Sequence, residues 1–533
     1  MMKRTALLIL LTLLLQSAVA SSITVSGKVA GTWNVDTVNV AGNLRVNADT
    51  MLVILPGTRI IFQGHYEIWV LGVIRAIGTV ENPILFTVAD TTGFADTLSV
   101  SGGWHGIFFN QLDPMTDTSF FSFCRFEFGK AIALDSTGVY GGAMRIFNWG
   151  KVVISDCAFF HNLAGKWGGA IYAKYADIVV QRSVFRENRC GTMTLPYGYG
   201  GGFCSVHSMP VLRFNLFEDN ASTGIGGGAS FEFSDPVLQY NIFLQNYSGL
   251  GGAIGYLRSS PAHVASNNLI EGNMAQFFGG GIACIRCNTV FSNNTIVNNQ
   301  AAYGGGLYAN DSAFPSNYNS IFYYNTAAVG AEVYIWDVHS APDFRFCNVS
   351  GGKEDFQGSG GQQGYHGIYE NNLDTVPGFS DSGDHPFSLM EHSPMVDHGT
   401  PDTAFLQLPA KDLASNDRIY NNRIDIGAYE WNPATGIFSS NNNRMRLQIF
   451  PNPVRTSLTV SVTLEAPESF MITIYTLDGK PVWHSDKKAF SAGVQHLQVT
   501  GREAGTEQWK NGIYILRISG SKTEKSTPFL FIR

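Results

Sequence analysis

The sequence predicts an all-β protein, a long parallel β-helix followed by a small antiparallel β-sandwich. Three observations carry that reading. A unit of about 26 residues repeats through the middle of the chain. Lys, Arg, Asp and Glu make up only 14% of the residues, against about 25% in ordinary soluble domains. From residue 447 to 533 the repeat is absent, and strands alternate apolar and polar residues with period two.

In chain order, residues 1–20 come first. Lys3 and Arg4 precede an apolar run from Ala6 to Leu15, and Ala18-Val19-Ala20 fits a small-x-small cleavage site. This is the pattern of a secretory signal peptide, and the run is too short to span a bilayer. The expectation is an exported protein.

Residues 21–372 are predicted to form the β-helix. Its early part, to about residue 150, reads as irregular coils, with strands and turns in Asn43–Gly64 and Trp69–Thr87 and a Pro56-Gly57 turn. The regular part carries the segments CAFFHN, SVFREN, NLFEDN, NIFLQN, NLIEGN, NTIVNN and SIFYYN. They end at Asn162, Asn188, Asn220, Asn246, Asn273, Asn299 and Asn325, at intervals of 26, 32, 26, 27, 26 and 26. The long interval holds an insertion within Cys190–Gly198. After most of these Asn an apolar residue leads into a Gly run: Trp167, Tyr199, Ile225, Leu250, Phe278, Tyr303 and Val329.

A unit of three short strands cannot bury its own apolar side chains, but units stacked about 4.8 Å apart can. The LxxLxL ladder of leucine-rich repeats is missing, and propeller blades need about 40 residues or more. Stacking explains the composition column by column. Phe159, Phe185, Phe217, Phe243, Ile270, Ile296 and Phe322 share one position and are expected to form an internal stack. Asn215, Asn241, Asn268 and Asn294 form a second Asn column, whose amides can bond along the stack and whose backbone tolerates left-handed turns. Charge is scarce because like charges in register repel.

The seven cysteines, Cys124, Cys157, Cys190, Cys204, Cys284, Cys287 and Cys347, are an odd number. Cys284-Ile285-Arg286-Cys287 lacks a second ligand pair at zinc spacing, so no metal is expected. Apolar packing is the expectation, with Cys190–Cys204 or Cys284–Cys287 disulfides as the alternative.

From 373 to 432 the repeat fades. Asp397, Asp412, Arg418 and Asp425 are expected to pair and cap the end of the β-helix, the alternative being a catalytic carboxylate cluster. Residues 433–446 read as a polar linker. In 447–533, Leu477-Asp478-Gly479-Lys480 is a hairpin turn.

Several segments resemble known families. LPGTRIIFQG, VLGVIRAIGTVENPILFT and GGWHGIFF are similar to the N-terminal coils of exported bacterial right-handed β-helix proteins. SPMVDHG, KDLASNDR and DIGAYE resemble the end of the choice-of-anchor Q type, although the Gly usual before Arg418 is missing. Residues 447–533 resemble the type A sorting domain of the type IX secretion system of Bacteroidota. The match rests on Pro451-Asn452-Pro453, Asp478-Gly479, Gly512-Ile513-Tyr514 and the basic-ended last strand. The resemblance implies type IX machinery as a partner and display on the cell surface, commonly attached to lipopolysaccharide.

A net charge of −7 gives no reason to expect a nucleic-acid partner. No cofactor is indicated. Two functions remain. The first is a binding or structural module, in contact with an extracellular glycan through Lys166, Trp167, Arg189, Tyr197 and Tyr199 around the insertion. The second is a polysaccharide lyase or glycoside hydrolase, for which the repeats offer few acids, among them Glu187, Glu218 and Asp219. The Asp-Asp, Gly-His-Gly and Arg-Ile-Lys elements of pectinase-like hydrolases are absent, and His105 falls in a coil-forming segment.

Overall fold

The computed structural model describes residues 21–432 except 111–115, 133–137, 193–194, 196, 261–263, 382, 384 and 422. It also describes 446–531 except 451–453, 455–456, 465–466, 477–479, 492, 501–508, 510–511 and 521–523. The predicted signal segment and most of the predicted linker therefore lie outside the described residues. The chain divides into two units between Asn432 and Pro433.

Strands in the first unit stack in parallel, each pairing with its counterpart one coil away. This is the right-handed β-helix the repeat predicts. Each regular coil has four strand segments rather than the expected three. In one coil these are Val152–Ser155, Ala158–Phe160, Leu163–Ala164 and Ile171–Lys174. The third is only two residues long, too short to show alternation in a sequence. Among the described residues the ladder of first strands has thirteen members, from Gly31–Trp33 to Tyr369–Glu370. The ladder of third strands has eight, the last being Thr326–Val329.

The Phe column forms as expected. Phe126, Phe159, Phe185, Phe217 and Phe243 stack ring on ring with centroids 4.7–4.9 Å apart, all fully buried. Burial of each ring contributes roughly 1.5–3 kcal/mol. The Asn column ending each segment is a continuous ladder. The Nδ2 of Asn162, Asn188, Asn220, Asn246, Asn273 and Asn299 donates to the Oδ1 of the next Asn at 2.8–2.9 Å. Each also donates to a carbonyl of the preceding coil, as Asn246 does to Phe217.

The left-handed turn residue, however, lies one position before each ladder Asn. His161, Glu187, Asp219 and Gln245 all have φ near +50°. The ladder position itself is chosen for its amide, and the preceding residue takes the strain. At the Gly runs the reason for glycine is close approach. A Cβ on Gly227 would lie 2.3 Å from the Gly252 carbonyl oxygen of the next coil.

The second Asn column extends further than the sequence suggested. Cys124 N–H donates to Cys157 Sγ, Cys157 N–H to Ser183 Oγ, and Ser183 N–H to Asn215 Oδ1. The row then runs through Asn241, Asn268 and Asn294 to Ser320. All seven cysteines are buried and free, which fits apolar packing rather than disulfides. Several outward charges pair with an opposite charge on the neighbouring coil, as in Asp156–Arg182, Arg186–Glu218 and Glu232–Arg258.

The end of the core is plugged by residues 353–370. Phe356 is buried there, and Tyr365 and Tyr369 pack against the same cluster. Residues 395–431 instead lie along the flank of the coils. Met395, Ile426, Ala428 and Tyr429 pack on Leu269, Val297 and Ile321.

The second unit, described by itself, has two antiparallel sheets. One orders Arg446–Phe450, Ser457–Leu464 and Gly493–Thr500; the other contains Pro481–His484, Glu468–Thr476, Gly512–Ser519 and Glu524–Phe531. Alternate residues such as Val460, Val462, Ile472, Ile474, Leu516 and Ile518 form one core.

Candidate functional site

The insertion between Cys190 and Gly198 sits where the third strand turns into the fourth. Isolated bridges align Tyr140, Trp167, Tyr199, Ile225 and Leu250 along this corner. Trp167 and Tyr199 stack at 5.0 Å with planes 3° apart, and Tyr140 meets Trp167 edge-on. Lys166 Nζ lies 5.3 Å from the Trp167 ring and 5.9 Å from Tyr140, a cation–π arrangement. The Trp167 indole N–H donates to the Tyr197 carbonyl at 3.1 Å, which ties the insertion to the corner.

These rings differ in what they offer a ligand. Trp167 and Tyr199 are half-buried and cover each other's faces, so their edges look outward. Tyr197 is 74% exposed. Arg189 is exposed as well, but it is in register with Leu163 and Ala221 at the start of the third strand. The structure thus gathers Lys166, Trp167, Tyr197 and Tyr199, with Arg189 outside that row.

A second aromatic group lies on the same corner, and only its Phe278 and Tyr303 were legible in the sequence. Phe278 stacks on Tyr303 at 5.1 Å and Tyr308 at 4.7 Å, and meets Trp336 edge-on at 5.3 Å. Phe278 and Tyr303 fall in the repeat; Tyr308 and Tyr334 come from the fourth strands, where aromatics are intermittent, and Trp336 follows one of them.

The acids of the repeats gather on a different corner. His161, Glu187 and Asp219 occupy one left-handed column, and His161 Nε2 lies 2.7 Å from Glu187 Oε2 with both side chains 45% exposed. Burial, helped by Glu218 and Glu187, raises the Asp219 carboxyl above the ordinary range. In the early coils, Arg145 is buried against Glu67 and His105 and lies over the Phe108 ring. His65 stacks on His105 at 4.6 Å, and burial lowers its pKa to about 4. This group is a closed ionic network, and it is another that sequence spacing could not assemble.

Asp397, Asp412, Arg418 and Asp425 do converge, on the flank rather than over the open end. Arg418 Nη2 donates to Glu430 Oε2 at 2.8 Å, with both side chains almost fully buried. Arg418 Nη1 reaches the Gly427 carbonyl and Asn267 Oδ1 of the coil beneath. Asp412 Oδ2 accepts from Glu430 N–H, and Asp425 accepts from the N–H groups of Asp397 and Trp431. Burial pushes Asp425 up to about 6. The carboxylates of Asp412, Asp425 and Glu430 are consumed in holding turns, while Asp397 takes part through its backbone N–H. The flank replaces the end because Lys411 O, Asp425 O and Gly427 N–H find partners on Tyr240, Asn267, Asn293 and Asn319.

In the second unit, Tyr514 is buried and stacks on Trp509 at 4.8 Å, and Gly512 opens its strand. Thr476 and Lys480 bond across the predicted hairpin turn. Pro451, Asn452, Pro453, Asp478 and Gly479 lie outside the described residues.

Residues 448–532 match the family model described as the secretion system C-terminal sorting domain. Residues 133–285 match the right handed beta helix region. The chain is a β-helix with a type IX sorting tail. That tail marks export, to the cell surface or the medium, and implies an encounter with the type IX machinery. No curated protein gives a significant match.

Proposed function

We propose that this secreted β-helix is displayed on the cell surface of a Bacteroidota bacterium as a binding or structural module that contacts an extracellular glycan. In this reading residues 1–20 are removed as a signal peptide and lipopolysaccharide is the attachment point. The observation that supports it is the exposed Tyr197 ring, held by its backbone to the Lys166–Trp167–Tyr199 group. A free aromatic face beside outward ring edges and one cation suits the apolar faces and hydroxyl rims of sugars.

The alternative, a polysaccharide lyase or hydrolase, rests on the His161–Glu187–Asp219 column and its raised Asp219. Two measurements separate them. Glycan-array binding is expected to fall by at least about tenfold, about 1.4 kcal/mol, in a Tyr197→Ala, Trp167→Ala double variant. Unchanged binding sinks the reading. New reducing ends or unsaturated products from a polysaccharide screen, lost in Asp219→Asn, would favour the enzyme.

A further inference from the structure

The ladder of third strands stops one coil early. Among the described residues no strand follows Thr326–Val329, yet the first and second strands of the next coil, Asp343–Arg345 and Asn348–Val349, are in place. Instead of a third strand the chain makes a 3-10 turn at Lys353–Asp355 and rejoins the stack at Gln357, which bridges to Tyr334. The detour leaves a cavity of about 550 Å³, lined by Tyr324, Ala328, Val329, Glu332, Ser350 and Asp355 among others. That volume is within the range of small-ligand pockets.

The hydrogen bonding of the stack is interrupted at this slot. On the preceding coil, the N–H groups of Gly304, Gly305 and Gly306 donate to the carbonyls of Val329, Gly330 and Ala331. Their counterparts, the N–H groups of Gly330, Ala331 and Glu332, have no protein acceptor among the described residues. The Asn ladder ends here too. Asn325 donates its N–H and Nδ2 to the carboxyl of Glu332, a residue in the column that holds Gly or Ala on the regular coils before it, as at Gly228, Ala253, Gly281 and Gly306. No Lys or Arg lines the cavity, which disfavours an anionic ligand. Val329 pairs with Tyr303, so the rim is continuous with the Tyr303–Tyr334–Trp336 aromatic group, whose Trp336 is 47% exposed.

We propose that this slot is a second binding site, for a neutral glycan. Sugar oxygens accept from the Gly330–Glu332 N–H row, and a pyranose face rests on the aromatic rim. Peptide carbonyls meet the same three donors on the preceding coil, so an extended peptide is the competing occupant; the aromatic rim at Tyr303, Tyr334 and Trp336 favours a sugar. Burial raises Glu332 to about 8, so at neutral pH the floor of the slot carries little charge. The site does not use Tyr197 and stands apart from the reading above.

The test is calorimetric titration of the full chain with β-1,4-linked glucose, xylose and mannose hexasaccharides, with amide exchange of Gly330, Ala331 and Glu332 followed in parallel. At least one hexasaccharide is expected to bind and to slow exchange at the three amides. Ala328→Trp, which fills the slot from an exposed position, is expected to weaken binding by about tenfold or more. Trp336→Ala should weaken it less. The proposal is overturned if no hexasaccharide binds the wild-type chain, if binding survives Ala328→Trp in a variant that melts normally, or if only an extended peptide protects these amides.

Discussion

The coil stack and the segment on its flank bury polar groups in opposite ways. In the stack, each Asn from 162 to 299 hands its spare amide donor to the next coil, and the ladder stays neutral throughout. In residues 395–431 nothing repeats, and four turns converge on Arg418, Glu430, Asp412 and Asp425. Repetition forbids buried charge, because one charged residue per coil becomes a column of like charges a few ångströms apart. A segment present once has no such neighbour and can hold an ion pair. The scarcity of charge is therefore a property of the regular coils; the early coils, which repeat less closely, hold the buried Arg145–Glu67 pair.

The comparison is broken most severely at Arg418. Replacing it by alanine leaves Glu430 buried without its cation, a loss of about 3–5 kcal/mol. Asn246→Ala removes the acceptor for Asn220 N–H and Nδ2 and is expected to cost about 2–4 kcal/mol. The sites of damage should differ. Arg418→Ala should speed amide exchange at Gly427 and Ala428, which bond to Asn319 and Thr295 of the coils, while Asn220 stays protected. Asn246→Ala should do the reverse. If either variant loosens both regions equally, the two strategies are not separate.

Much of the stack was legible because each column repeats a residue type: the Phe column, the Asn ladder and the Trp167–Tyr199 corner all follow from the period. What could not be read were contacts made once. Tyr240 and Asn267 meet the Lys411 carbonyl across 171 and 144 residues of chain, which no local pattern encodes. Likewise the end of the core is closed by Phe356, Tyr365 and Tyr369, which obey no repeat. Of the candidate site, the sequence placed Lys166, Trp167, Tyr197 and Tyr199 on one corner. It could not show that two of the rings would hide each other's faces.

A sharper contrast lies within the Asn ladder, between its neutral interior and its end at Glu332. The folded-state pKa of about 8 lies above the ordinary value of 4.5. Below about 4.5 the carboxyl is protonated in both states and its burial costs nothing extra. As the pH rises from there to about 8, the unfolded chain ionises and the folded one does not, so stability falls; above about 8 it levels off. Glu332→Gln keeps one of the two acceptors for Asn325 and removes the charge. It is expected to flatten this part of the stability–pH curve and to raise stability at pH 9 by on the order of 1–3 kcal/mol. Parallel curves for variant and wild type from pH 4.5 to 9, in denaturant melts, would contradict the assignment.

The smallest effect is expected at Cys157, where the question is whether a thiol can serve as one rung of a polar ladder. Its Sγ accepts from Cys124 N–H and donates to the Ser155 carbonyl, and its own N–H goes to Ser183 Oγ. Serine already occupies this column at Ser183 and Ser320. Cys157→Ser should therefore change stability by less than about 1 kcal/mol, because the hydroxyl makes the same two bonds. Cys157→Val matches the volume but offers no acceptor, and by leaving Cys124 N–H buried and unpaired it should cost about 1–3 kcal/mol. Denaturant melts of the two variants decide the matter. A serine as costly as valine would mean that the thiol is there for packing alone. A cost well above both, abolished by reductant in the wild type, would mean that Cys124 and Cys157 are joined by a disulfide in the secreted protein.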